Sequence, residues 1–298
     1  MNEPRLSNRA GLEAVVVELK RLRRAGTDAV YLGDETFRRI KALAAGAASG
    51  AADGGDPEPA PPARAPEPEG GSGSGAGSIP EPPNLDLPEG SKEERWNWLR
   101  ERVLNCPVCT AHARVEQGKK VVFGVGNLDA DILFCGEAPG ADEEEQGEPF
   151  VGRAGQLLTK IIEAMGLARR EVYIGNIMNW RPEMPNRASG NRPPTSEEMR
   201  FCLPYLIAQV AIVQPKVIVA LGNTAVSGLL GHDPSRRMGA IRGTWLSFQG
   251  IPLLPTYHPS YLLRYANNRT KRQVWEDMLA VMDKVGLPIS EKQRGFFR

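Results

Sequence analysis

Short apolar runs alternate with helical patterns across residues 93–290, and this alternation constrains the fold more than any other feature. Four runs are typical of buried strands: DILFC, VYIGN, KVIVAL and IPLLPT, at 131–135, 172–176, 216–221 and 251–256. Strands that alternate with helices favour a parallel sheet covered on both faces. The sequence predicts an α/β fold, a three-layer sandwich with a central, mainly parallel four-stranded sheet flanked by helices. A further short strand is possible at 121–124.

Composition divides the chain into three parts. Residues 1–45 are predicted to form a short N-terminal helical segment, because Leu and Val recur at helical spacing within 8–25. Residues 46–92 are rich in Pro and Gly and are predicted to be a disordered linker, since they offer too little apolar surface to offset the entropy of ordering. Residues 93–298 are predicted to be the folded domain.

Bulk properties exclude some classes of protein. No apolar run approaches the ~18 residues of a membrane span, and the N-terminus does not resemble a secretory signal, so a cytoplasmic protein is expected. The four cysteines include a Cys-x-x-Cys pair, which indicates metal or redox chemistry rather than a disulfide scaffold. Residues 91–298 carry 27 Lys and Arg against 22 Asp and Glu. This surplus suits a phosphate backbone, but a scattered, solvated surface explains it equally well.

The loops that follow the predicted strands carry an unusual load of polar and aromatic residues. They read GEAPGADEEEQGEPFVG, NIMNWRP, GNTA and YHPSYLLR. Because ligands of parallel α/β folds bind at the carboxyl ends of the strands, these loops are expected to converge on one site.

At these loops the sequence resembles the type-4 uracil-DNA glycosylases. The resemblance covers roughly residues 100–285 and rests on GEAPGADEEEQGEPFVGRAGQLL, VYIGN, the RP and NR pairs, PKVIVALG and PTYHPSYLLR, in this order. It implies that the protein binds uracil-containing DNA, extrudes the uracil and hydrolyses its N-glycosidic bond, which leaves an abasic site. A monomer is assumed.

The first loop supplies the candidate catalytic carboxylate. The resemblance implies that this loop binds the base and positions a water molecule, with Glu137 as the catalytic group and Ala138 in the uracil site. Asp142 and Glu143 are alternatives, and the resemblance puts Glu143 near the C5 edge of the base, where bulk would exclude thymine. Taken without the resemblance, these acids equally suit a solvated Gly-Pro turn.

Two further side chains are candidates for holding the base. The ring of Phe150 is suited to stack on an extruded pyrimidine, although a core aromatic is an equal alternative. Asn176 ends the second strand, and its amide matches the N3–H and O4 of uracil while leaving mismatched partners for cytosine. An isolated Asn that caps a turn is the ordinary alternative.

The last loop supplies a candidate for the leaving group and for DNA contact. His258 is expected to donate a hydrogen bond to uracil O2, as the bond breaks, unless it is an ordinary structural histidine. DNA-binding roles are assigned by resemblance to Arg192, Ser260, Leu262, Leu263 and Arg264. One of the two leucines could belong to the core instead, and the other would fill the gap left in the base stack.

The resemblance also implies a [4Fe–4S] cluster held by four cysteines. Three positions match Cys106, Cys109 and Cys202, but the fourth is occupied by Trp180. A cluster with three thiolates and an unclear fourth ligand is therefore predicted, with a structural role, and the absence of any cluster remains open. Cys135 lies on a predicted buried strand and is interpreted as core.

Two other functions remain as alternatives. One is a related glycosylase-fold protein that binds or covalently traps uracil-containing DNA without turnover; its Gln in the first loop and its basic insertion are absent here. The other is a non-catalytic scaffold whose N-terminal segment contacts an unknown protein. A dinucleotide site at GVGN, 124–127, lacks the third glycine and is discounted.

Overall fold

The computed structural model describes residues 79–184, 190–265 and 267–297. The predicted N-terminal helical segment and most of the predicted linker therefore lie outside the described residues. The last part of that linker, residues 79–91, forms no helix or strand, but Ile79, Leu85 and Leu87 pack in part against buried side chains.

A six-stranded sheet forms the centre of the domain, in the order β1-β3-β2-β4-β6-β5. The strands are β1 Val125–Gly126, β2 Ile132–Gly136, β3 Tyr173–Asn176, β4 Val217–Leu221, β5 Leu246–Phe248 and β6 Ile251–Thr256. The four central strands are parallel, which confirms the predicted sheet.

The prediction of four strands needs a correction, because an antiparallel strand flanks the parallel set on each side. Both extra strands are too short to show a periodic pattern. The first lies at 125–126 instead of the suggested 121–124. The second forms a hairpin with β6 through Gln249 and Gly250, which both have positive φ.

Helices cover both faces of the sheet. They are α1 Lys92–Leu104, α2 Pro107–Ala113, α3 Ala141–Gln146, α4 Arg153–Ala164, α5 Ser196–Val213, α6 Asn223–Leu230, α7 Met238–Ile241, α8 Pro259–Arg264, α9 Asn268–Lys284 and α10 Glu291–Arg294. Thr195 caps α5, since its hydroxyl accepts the Glu198 N–H at 3.1 Å. Across the described ranges, no helix combines the length and apolar character that crossing a membrane requires.

Side chains that alternate along β2 enter separate cores. Ile132 and Phe134 belong to one cluster, which includes buried residues of α4 and α9, and Leu133 and Cys135 belong to another, which includes residues of α5 and α6. Successive strand residues point to opposite faces, so the two clusters are the two sides of a three-layer sandwich. Cys135 is fully buried, in agreement with its interpretation as core.

Candidate active site

The carboxyl ends of the parallel strands open into one cleft of about 720 Å³. Nine of the predicted site residues line it: Glu137, Ala138, Glu143, Phe150, Asn176, Arg192, His258, Ser260 and Arg264. They come from loops after β2, β3 and β6, because parallel strands deliver all of these loops to the same edge.

Glu137 follows β2 directly and is only partly buried. Burial raises the pKa of its carboxyl group, and a hydrogen bond with the Thr224 side chain partly opposes that change. A raised pKa brings a carboxyl group closer to the operating pH, which suits proton transfer. The preceding Gly136 has to lack a side chain, because a Cβ there would overlap the Phe150 ring and the Asn176 amide oxygen.

Glu143 has a different environment, although it lines the same cleft. One carboxylate oxygen accepts the Gly140 N–H at 3.0 Å, and the other accepts the N–H groups of Val151 and Gly152 at 3.0 Å each. Three backbone donors therefore fix this carboxylate and tie the two ends of the first loop together. Such a carboxylate is better suited to shaping the cleft than to moving a proton.

Phe150 is held in an unusual conformation. Its φ of 55° is uncommon for a residue with a side chain, and its ring is only 6% exposed. The backbone can adopt this position because Gly155 leaves room; a Cβ there would overlap the Phe150 carbonyl. The ring lies 5.7 Å, centroid to centroid, from that of His258. Strained residues of this kind concentrate at ligand sites.

Asn176 is buried to 6% exposure, and its amide oxygen has no hydrogen-bond partner among the described residues. An unpaired buried acceptor costs about 1–3 kcal/mol, so buried polar atoms usually pair with protein, water or a ligand. The Asn176 oxygen is therefore suited to accept a hydrogen bond from a ligand in the cleft.

Hydrogen bonds fix the protonation of His258. Its Nδ1 accepts the Ser260 N–H at 3.1 Å and lies 2.8 Å from the Ser260 Oγ. Burial and, to a lesser extent, Arg264 lower the pKa of His258 to about 4. A neutral ring that accepts at Nδ1 carries its proton on Nε2, so His258 can donate a hydrogen bond near neutral pH.

A buried network supports β6, the strand that precedes His258. Thr256, the last residue of β6, donates its hydroxyl to Asp277 at 2.6 Å, and Arg242 donates to the same carboxylate at 2.5 Å. Burial raises the pKa of Asp277 to about 6, against the opposing effect of Arg242. No local pattern in the sequence predicts this pairing, because the three residues are far apart along the chain.

The predicted DNA-binding residues divide into accessible and inaccessible ones. Leu263 is 42% exposed and Arg264 is exposed, whereas Leu262 is 6% exposed. Leu262 is therefore the buried leucine of the pair, which favours the alternative that it belongs to the core; its assignment to DNA stays an untested prediction.

Arg192 is also engaged within the chain. Its guanidinium donates to both carboxylate oxygens of Glu198, at 2.7 and 2.6 Å, and to the Glu183 carbonyl. A phosphate would have to compete with this bidentate pair.

Several lining residues were not singled out by the sequence analysis. Asn223 begins α6, Arg153 begins α4, and Tyr257 follows β6 directly. Met238 reaches the cleft from α7, a helix too short to be recognised from its pattern.

The three cysteines that match the family's cluster positions, Cys106, Cys109 and Cys202, belong to one buried cluster, here called the thiol region. None of them lines the cleft. Cys109 and Cys202 are fully buried and Cys106 is 9% exposed. Trp180 belongs to the same cluster at 1% exposure, and its ring stacks on His112 at 5.1 Å. Burial raises the pKa of the Cys202 thiol. In the described part of the chain, no group of three or more His, Cys, Asp or Glu residues is arranged to hold a metal ion.

Glu144 connects this thiol region to the cleft. It is 3% exposed and lies on α3 beside Glu143. Its carboxylate accepts hydrogen bonds from Arg114 at 2.9 Å and from Arg181 at 2.8 Å. Arg114 follows the helix of Cys109, and Arg181 follows Trp180, so one buried carboxylate joins the two regions.

Comparisons with known proteins agree with this geometry. Residues 123–279 match the profile of the Uracil DNA glycosylase superfamily. The Type-4 uracil-DNA glycosylase of Thermotoga maritima is 44% identical over 192 residues, which cover 63% of this chain and 93% of that protein. The enzyme of the same name from Pyrobaculum aerophilum is 40% identical over 174 residues, covering 56% and 83%. A Type-5 uracil-DNA glycosylase from Pyrobaculum aerophilum is 28% identical over 172 residues, covering 53% and 71%. The chain therefore belongs to the uracil-DNA glycosylase superfamily, in its type-4 family.

Proposed function

We propose that this protein hydrolyses the N-glycosidic bond of uracil in DNA, releasing free uracil and leaving an abasic site for base excision repair. The observation that carries the proposal is that Glu137, Phe150, Asn176 and His258 line one cleft, where the Asn176 oxygen has no partner among the described residues. The names of the relatives support the same activity.

Recognition of the base falls to Phe150 and Asn176. A uracil extruded from the helix would stack on the Phe150 ring and present its N3–H to the unpartnered Asn176 oxygen. Cytosine has no hydrogen at N3, so the oxygen would stay unpaired and oppose its binding. Glu143, fixed by three backbone N–H groups, is proposed to exclude thymine by its bulk beside C5.

Cleavage of the bond would develop negative charge on uracil and positive charge on the sugar. The Nε2–H of His258 would donate to uracil O2 and stabilise the leaving anion without itself giving up a full proton. The Glu137 carboxylate would stabilise the sugar cation and accept a proton from the attacking water.

DNA contact is assigned to Ser260, Leu263 and Arg264. All three lie on α8 at the edge of the cleft, and Leu263 and Arg264 are exposed. For Arg192 we propose a positioning role, in which its ion pair with Glu198 holds the surrounding loop in place. A contact with phosphate would be secondary to that role.

A four-thiolate [4Fe–4S] cluster does not fit the residues present. Cys106, Cys109 and Cys202 supply three thiols, but the fourth position holds an apolar indole packed on His112. Two buried N–H donors beside them, of Asn179 and Trp180, lack partners within the described residues. No catalytic step requires a cluster, because the reaction involves no electron transfer. A cluster on the three cysteines with an unclear fourth ligand stays a prediction, which iron analysis tests.

The organisation of the rest of the protein is proposed from the sequence alone. Residues 1–45 would form a helical segment that contacts another protein, 46–92 a linker and 93–298 the glycosylase domain. We expect a monomer in the cytoplasm. Gel filtration with light scattering would test the oligomeric state.

The deciding experiment incubates the purified protein with an oligonucleotide that contains one uracil. We expect free uracil and a strand that breaks in alkali at that position. A protein–DNA adduct that survives denaturation would instead support the trapping alternative. Binding without either product would support a non-catalytic role.

A further inference from the structure

Three tyrosines form a stack that leads out of the cleft. Tyr257 and Tyr261 lie with ring centroids 4.8 Å apart and an angle of 19°, and Tyr265 follows Tyr261 at 4.7 Å and 40°. The first two rings line the cleft, whereas Tyr265 lies beyond its lining. Tyr261 lies on α8, which spans Pro259–Arg264, and Tyr265 is the residue that follows its last turn. The Tyr265 N–H still donates to the Tyr261 carbonyl, so the spacing of four residues keeps the two rings on one side.

This stack is unusually exposed for aromatic residues. Tyr261 is 37% exposed and Tyr265 is 48% exposed. Of the six large apolar side chains exposed in the described part of the chain, three lie within residues 261–265. Exposed apolar groups that gather in one place mark an interaction surface more often than scattered ones do.

The surrounding charge identifies the kind of partner. Residues 257–275 contain four Arg and Lys residues and no Asp or Glu. Arg264 and Arg269 are exposed among them. Aromatic rings beside cationic side chains are the combination that binds the bases and the phosphates of single-stranded nucleic acid.

We propose that Tyr261 and Tyr265 form a platform for an unpaired base next to the extruded uracil, which gives the enzyme a preference for single-stranded DNA. The inference rests on the proposed function. Tyr265 ends the stack, since within the described residues no further ring packs against its other side. A neighbouring base could continue the stack there. In a duplex, the faces of that base are already covered by its neighbours, so the platform contributes little.

The test compares wild type with Tyr265→Ala on two substrates at one salt concentration. One is a single-stranded oligonucleotide with a central uracil, and the other is the same strand paired with its complement. We expect kcat/KM on the single strand to fall about 5- to 100-fold, and the duplex value to stay near that of wild type. Tyr265→Phe keeps the ring and should behave like wild type. Phe297→Ala removes an exposed ring that does not line the cleft and serves as the matched control.

A second measurement separates this inference from the proposed function. Binding of a uracil-free single strand, followed by fluorescence anisotropy, should weaken in Tyr265→Ala by a similar factor. Equal losses on both substrates, or unchanged single-strand values, would overturn the platform. If wild type released no uracil from either substrate, the proposed function would fail, while the binding measurement would still test the platform. Unchanged melting temperatures would exclude a folding defect.

Discussion

The cleft and the thiol region were both predicted from residues far apart in the sequence. They differ in how many of the predicted side chains are present in each. In the cleft, each type of side chain that the proposed chemistry uses lines the cavity, and within the described residues the buried oxygen of Asn176 has no hydrogen-bond partner. In the thiol region, three cysteines share one buried cluster, but the fourth position is filled by Trp180 packed on His112. Side-chain packing can stabilise a fold in place of a bound metal group. Apolar contact, in contrast, cannot replace a hydrogen bond that recognises a base.

The largest effect is expected at Glu137, where a substitution tests whether this carboxylate performs the proposed catalytic step. Glu137→Gln keeps the shape and removes the charge, so kcat should fall about 10²- to 10⁴-fold in single-turnover assays, with DNA binding nearly unchanged. Glu116→Gln, an exposed control, should retain full activity. A loss below about tenfold would mean that another group performs this step.

Trp180 provides the corresponding test of the thiol region. Trp180→Cys supplies a fourth thiolate, so anaerobic reconstitution should give about four tightly bound irons per chain and a brown protein. Trp180→Ser opens the same cavity without a ligand; it should bind less iron and lose about 3–5 kcal/mol of unfolding free energy. Full iron content in wild type would show that three thiolates suffice.

Asn176 tests the discrimination between bases. Asn176→Asp should lower kcat/KM for uracil about 10- to 100-fold, because a carboxylate repels O4, and should bring cytosine excision above background. The experiment measures the release of both bases from matched oligonucleotides. Asn223→Asp places a carboxylate elsewhere in the same cleft and should not admit cytosine. Unchanged base preference in Asn176→Asp would contradict the proposed contact.

The smallest effect concerns the neutral state of His258. Its pKa in the folded protein is lowered to about 4, below the ordinary value of 6.5, so only the unfolded chain takes up this proton between those pH values. The unfolding free energy should therefore fall as the pH is lowered through this window, by at most about 1.4 kcal/mol per pH unit. Denaturant titrations of wild type and His258→Asn should show this slope in their difference, because the contribution of Asp277 cancels. If the unfolding free energies of the two proteins had the same pH dependence, burial would not lower the pKa of His258.

The sequence by itself determined the parallel sheet and the composition of the cleft. Four apolar runs specified the central strands, and parallel strands have to deliver their following loops to one edge. This is why Glu137, Phe150, Asn176 and His258 were all found from their loops. The edge strands were missed because two or three residues carry no readable period.

Only the tertiary structure decided which of those side chains remain available. Leu262 and Leu263 are neighbours of the same type, yet one is buried and the other exposed, because α8 turns only one of them toward the core. Likewise, the ion pair of Arg192 with Glu198, the triple backbone contact of Glu143 and the stack of tyrosines depend on how packed elements face one another. A sequence specifies which groups a loop carries. Whether those groups remain free to bind a ligand depends on neighbours that folding brings from elsewhere in the chain.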